Sequence, residues 1–188
     1  MSERQAPSWR TWLKRWAVAL LLLAAAAVVG GWMLPRQFSV ERSTTVQATP
    51  QAVYALVADP RRWGEWAPWS RRDRSMVTRY EGAASGAGAD WSWRSDSEGS
   101  GRMRFTAAEP ARRLTYELSL EGWDGVSRGE LLLQPKGTGT ELRWTLAGDL
   151  GANPIGRWMG LLVDRMVGKD FESGLMGLKS MAEHPAPG

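Results

Sequence analysis

The chain of 188 residues has no cysteine and a single histidine. Without cysteine there is no disulfide framework, no thiolate zinc site and no thiol nucleophile. The one histidine, His184, lies in the proline-rich tail EHPAPG. A Ser-His-Asp triad needs its imidazole inside the fold, and zinc needs several nitrogen or sulfur ligands, so neither chemistry fits. No phosphate loop or dinucleotide glycine pattern is present. The Gly-rich GAASGAGAD separates two strand patterns and reads as a hairpin loop. No cofactor is expected. Phe and Tyr are scarce, at three each, whereas Trp is abundant at 12.

The folded part also lacks a surplus of charge. The formal net charge is +4, but residues 1–35 hold Arg4, Arg10, Lys14 and Arg15 against Glu3. The remainder is close to balanced. Nucleic-acid binding wants a basic face on the domain itself, so no nucleic-acid partner is expected.

What is present first is an apolar run. Residues 16–34, WAVALLLLAAAAVVGGWML, carry no charge. As a helix they span roughly 28 Å, close to the hydrocarbon thickness of a bilayer. Trp16 and Trp32 mark the two ends, where indoles favour the interface. The basic flank 1–15 precedes it, which predicts a cytoplasmic N-terminus and an extracytoplasmic domain on a single-pass inner-membrane protein. A cleaved signal peptide is the rival, with small pairs such as Ala25 and Ala27, although these lie inside a run longer than a usual signal core.

The soluble part begins with a strand over 38–47. A short helix follows, with Thr49 as cap, Pro50 at its first position and Val53, Leu56 and Val57 as its apolar stripe. The stretch RRWGEWAPWSRRDR, residues 61–74, comes next. Gly64 and Pro68 argue for a loop there. Trp66 and Trp69 are expected to fold inward. Arg61, Arg62, Arg71, Arg72 and Arg74 are expected to stay wet, with an exposed Trp63 as a stacking partner for arginine.

From about 75 to 148 the apolar period is two. Trp91 and Trp93 share a face, as do Met103 and Phe105. Leu114, Tyr116, Leu118 and Leu120 share another, and so do Leu142, Trp144 and Leu146. This predicts an antiparallel sheet with one wet face, where Glu117, Glu130 and Glu141 fall. A long helix over 154–182 closes the domain, with Val163, Val167, Phe171, Gly174 and Leu178 on one stripe. Residues 183–188 form a frayed tail.

The order strand, short helix, strand meander, long helix is an α+β plan. The residues LPRQFSVERSTTVQATPQAVYALVADPRRWGEWAPW and AGDLGANPIGRWMGLLVDRMVGKDFESGLMGLKSMAE carry a resemblance. Over about 38–182 the chain resembles the SRPBCC or START-like superfamily, in its polyketide cyclase/dehydrase-like branch. The resemblance implies a helix-grip fold, a curved antiparallel sheet wrapped on the C-terminal helix. It implies a cavity between them and no shared catalytic set, so no family catalytic residue is carried over.

The inward residues expected to line that space are Trp66, Trp69, Trp91, Trp93, Met103, Phe105, Tyr116, Leu118, Trp144, Val163 and Phe171. They describe an apolar pocket or an ordinary filled core equally well. Asp164 sits at the edge of the helical stripe. It is the one weak catalytic candidate if it enters the cavity, and a rim residue paired with Arg157 or Arg165 if it does not. Lys169 and Asp170 read as a capping or helix–sheet contact rather than a site.

Three functions follow. The first is a membrane-anchored module binding a hydrophobic small molecule or lipid. The second is a cyclase-type enzyme using Asp164 or Tyr116. The third is a ligand-free structural or interaction domain. Scarce histidine and wet carboxylates favour the first and third.

Overall fold

The computed structural model describes residues 9–123 and 125–184. The basic flank is thus described only from Trp9, and the tail only through His184. The rest of both expectations lies outside the described residues.

The elements run α1 (Trp9–Met33), β1 (Gln37–Val46), α2 (Pro50–Val57), α3 (Pro60–Trp66), α4 (Pro68–Arg72), β2 (Val77–Gly82), β3 (Ala89–Arg94), β4 (Gly101–Glu109), β5 (Arg113–Leu120), β6 (Ser127–Lys136), β7 (Gly139–Asp149) and α5 (Pro154–Glu183). Helices α2 to α5 each start on proline. Proline has no N–H to leave unpaired at that position, and its φ is already helical. Thr49, Asp59 and Asn153 complete three of these starts, each accepting from a first-turn N–H.

The same device corrects the expectation of a loop over 61–74. Pro68 opens α4 rather than breaking a helix. Gly64 lies within α3, where an added Cβ would meet nothing. The three tryptophans therefore stand on two short helices.

The seven strands form one antiparallel sheet in the order β1-β7-β6-β5-β4-β3-β2. Strand β1 lies against β7, with Val40 opposite Leu146 and Arg42 opposite Trp144. The sheet curves round α5, and β4 carries a register shift between Phe105 and Ala107. Irregularities of this kind bend a strand and increase its twist. The concave face holds the core residues Val40, Met103, Phe105, Leu114, Tyr116, Leu131, Leu142 and Trp144. On the convex face Glu117 pairs with Arg128, Glu130 with Arg113 and Glu141 with Lys136. This is the α+β helix-grip plan, with α5 packed across the concave side of the sheet.

Helix α1 is long and apolar enough to cross a membrane, a property that signal sequences share. It meets the domain near its C-terminal end. There Trp158 donates its indole N–H to the Ala27 carbonyl at 2.9 Å, and Arg157 donates to the carbonyls of Trp32 and Leu34 at 3.1 and 3.4 Å. Gly30 and Gly31 permit this approach, since a Cβ at either would collide with Trp158 or Pro154.

Candidate functional site

The space between sheet and α5 is divided in two. One half is filled with aromatic rings, and the other half is a cavity.

The filled half is centred on Trp63. Its ring lies 4.6 Å from Trp66, 5.4 Å from Trp91, 5.5 Å from Trp144 and 6.0 Å from Phe105, centroid to centroid. These tilted and edge-on pairs are the arrangements ring quadrupoles favour. Trp144 in turn stacks flat on Phe171 of α5, at 3.9 Å and 6°. Trp63 is 2% exposed, which corrects the expectation of an exposed ring. Its indole N–H donates to the Val57 carbonyl, and that of Trp66 donates to the Leu56 carbonyl, at 2.8 and 3.2 Å. Both carbonyls lie in the last turn of α2, where no intrahelical donor remains. On α5, Gly174 and Gly177 leave room for the Trp66 ring and backbone.

The cavity has a volume of about 320 Å³. Eight of the predicted lining residues reach it: Trp69, Trp93, Met103, Tyr116, Leu118, Trp144, Val163 and Phe171. The other three, Trp66, Trp91 and Phe105, are buried in the aromatic cluster and do not line it. Several lining residues escaped the sequence reading, among them Phe38, Trp123, Ser127, Met159 and Met166. Leu120 and Leu146 also line it. Their alternation with Leu118 and Trp144 was the signal for them.

Polar side chains at the cavity are few, and those of Tyr116, Arg72, Glu98 and Asp170 are engaged. The Tyr116 hydroxyl donates to the Thr145 carbonyl at 2.9 Å and accepts from the Trp144 indole N–H at 2.9 Å. Burial pushes its pKa well above the ordinary phenol value. Gly129 on β6 lies beneath the ring, and a Cβ there would collide with Tyr116 and the Thr145 carbonyl.

Arg72 stands at one rim and is not simply wet. It donates to Glu98 through Nε at 2.8 Å and Nη2 at 2.6 Å, and to Asp170 through Nη1 at 2.6 Å and Nη2 at 3.0 Å. The guanidinium is thus committed to two carboxylates and ties α4 to α5 and to the β3–β4 turn. Arg61 stacks on Tyr80 at 5.0 Å rather than on Trp63.

Asp164 does not line the cavity. It pairs with Arg42 of β1 at 2.9 Å, not with Arg157 or Arg165. Glu172 shares that guanidinium at 2.6 Å, and Gly168 leaves space for it. The hydrogen bond from Arg42 holds the Asp164 carboxyl below its ordinary pKa, the reverse of what a general acid in an apolar cavity would show. His184 follows the end of α5 and takes no part in the cavity.

Among the described residues, no group of three or more His, Asp or Glu side chains is placed to hold a metal ion. The arrangement can enclose an apolar molecule and shield it from water. Two lining residues carry hydroxyls, Tyr116 and Ser127, and that of Tyr116 has its hydrogen already committed.

Comparison with known proteins agrees with this geometry. The chain is similar to protein CV1439 from Chromobacterium violaceum, with a TM-score of 0.58 and 19% identity over 78% of this chain and 97% of that one. It is similar to the di-domain ARO/CYC StfQ from the steffimycin biosynthetic pathway, with a TM-score of 0.62 and 14% identity over 78% of this chain and 51% of that one. It is also similar to CalU16 from Micromonospora echinospora, with a TM-score of 0.53 and 25% identity over 80% of this chain and 68% of that one. No curated protein matches the sequence. The family described as polyketide cyclase / dehydrase and lipid transport matches residues 37–183, from the first residue of β1 to the last of α5, and the chain belongs to that family.

Proposed function

We propose that the protein is a membrane-anchored module that holds one hydrophobic small molecule or lipid chain between its sheet and α5. The observation that carries this reading is the 320 Å³ cavity, walled by Leu118, Leu146, Val163, Phe171 and tryptophan rings. Small-molecule sites typically run from about 300 to 1,000 Å³ and are mostly apolar with a few polar groups. The size suits a single chain or a compact ring system. Helix α1 acts as the tether, with the basic flank on the cytoplasmic side and the domain 38–182 on the other.

The enzyme reading has less support. Asp164 sits outside the cavity on an ion pair, and the Tyr116 hydroxyl is engaged by two backbone and side-chain partners. The ligand-free reading is supported by the aromatic cluster but leaves the second half of the space unexplained.

The test uses residues 37–184, because the family match spans residues 37–183 and begins after α1. Native mass spectrometry of this segment is expected to show a co-purified apolar ligand, or uptake of one equivalent of an added fatty acid. Leu118→Trp, which places a larger side chain in the cavity, is expected to remove that binding in a folded protein. Equal binding by the filled variant, or no binding by the parent, would rule out the carrier reading.

A further inference from the structure

The first half of α5 is unusual among surface helices. Leu162 is 47% exposed and Met166 60%, and Ile155 and Trp158 are similarly bare. At 100° per residue Ile155, Leu162 and Met166 stand on one stripe, with Trp158 on its α1 side. Contiguous apolar exposure of this kind on a soluble surface marks a contact site. Met159 and Met166 belong to this stripe and to the cavity wall at once.

Three observations say what covers it. The indole of Trp158 is bonded to Ala27, which lies seven residues inside the apolar run of α1. That is roughly 10 Å below the end of the run along the helix axis. Only residues 34–36 separate α1 from β1, so the domain cannot stand off from the point where α1 ends. Arg165 and Lys169 are exposed where the stripe meets the polar side of α5, the position of cations that meet anionic headgroups.

We propose that the first half of α5 docks on the bilayer that holds α1, so that the cavity opens toward the apolar layer and draws a lipid chain from it. This rests on the anchor reading of α1. The opposite rim fits the same contact, because Leu120 and Trp123 are both partly exposed and both line the cavity. Helices that lie in the interface in this way bury an apolar stripe with basic residues beside it.

The absence of cysteine makes the test direct. The full chain is labelled with an NBD fluorophore at one introduced cysteine, using Leu162→Cys, Met166→Cys, Leu22→Cys in α1 and Arg104→Cys on the convex face. It is reconstituted in vesicles of phosphatidylcholine and phosphatidylglycerol containing doxyl-labelled phosphatidylcholine. Labels at Leu162 and Met166 are expected to shift to the blue and to be quenched about twofold or more relative to Arg104. Quenching at Leu22 alone overturns the docking and leaves the anchor intact. Quenching at Leu162 and Met166 without Leu22 supports the docking and removes the span. No quenching at any of the three overturns both.

Discussion

Trp63 combines two stabilising roles in one side chain. Its ring fills the centre of the aromatic cluster, and its N–H satisfies a carbonyl at the end of α2. Truncating a buried Trp costs about 3–5 kcal/mol. Trp63→Ala is therefore expected to destabilise the domain by that amount in urea unfolding. Trp69→Ala is expected to cost clearly less, because Trp69 is only partly buried and borders space that is already open. Equal losses would contradict the division into a filled and a hollow half. The spacing of three between Trp63, Trp66 and Trp69 was a helical signal in plain sight. Gly64 and Pro68, which disfavour a helix interior, mask that signal, although proline at a first helical position is a start signal. The Tyr116–Trp144–Thr145 hydrogen bonds were not legible, because they join strands 28 and 29 residues apart through side-chain atoms.

The helices α3 and α4 form a lid seated on α5, and Arg72 is its latch. Two carboxylates, Glu98 and Asp170, converge on that guanidinium from separate elements. Each partly exposed ion pair contributes up to about 1 kcal/mol. Arg72→Ala removes both and leaves two like charges facing each other. A stability loss of about 1–2 kcal/mol is expected, with faster amide exchange in α4 than in β4 or β5. Unchanged exchange in α4 would show that the tryptophans alone hold the lid. At this scale the sequence was most informative where one period ran unbroken. The alternation through Leu114–Leu120 and Leu142–Leu146 placed β5 and β7 on their correct faces, and the helical stripe of α5 placed Val163 and Phe171 at the cavity. The latch was not legible, because Glu98 lies in a turn with no period and Asp170 meets Arg72 only after the sheet has curved.

Over the whole molecule, the shifted carboxylates move in one direction. Hydrogen bonds from Ser75 to Asp73, from Arg36 to Asp149, from Arg42 to Asp164, from Lys136 to Glu141 and from the Gln47 backbone N–H to Glu183 hold each below its ordinary value of 3.8 or 4.5. A group with a depressed folded pKa binds protons first in the unfolded chain. Its stabilisation is complete above the unfolded value and is lost as pH falls through the folded one. The melting temperature of residues 36–184, which keep Arg36, is therefore expected to be flat from about pH 5 to 8 and to fall below about pH 4. A decline between pH 6 and 8 would require a titrating group outside this set.

The pairing of β1 with β7 also governs how the chain reaches this state. Gln37 lies opposite Asp149 and Val46 opposite Thr140, so the first strand of the domain is completed only by the last. During synthesis β1 emerges directly behind α1, with about a hundred residues still to come before its partner exists. Contacts so distant in sequence close slowly, and the unpaired edge is exposed in the meantime. Ser39, Glu41 and Ser43 alternate along that waiting strand, and polar residues on one face of an unpaired edge discourage pairing with the wrong chain.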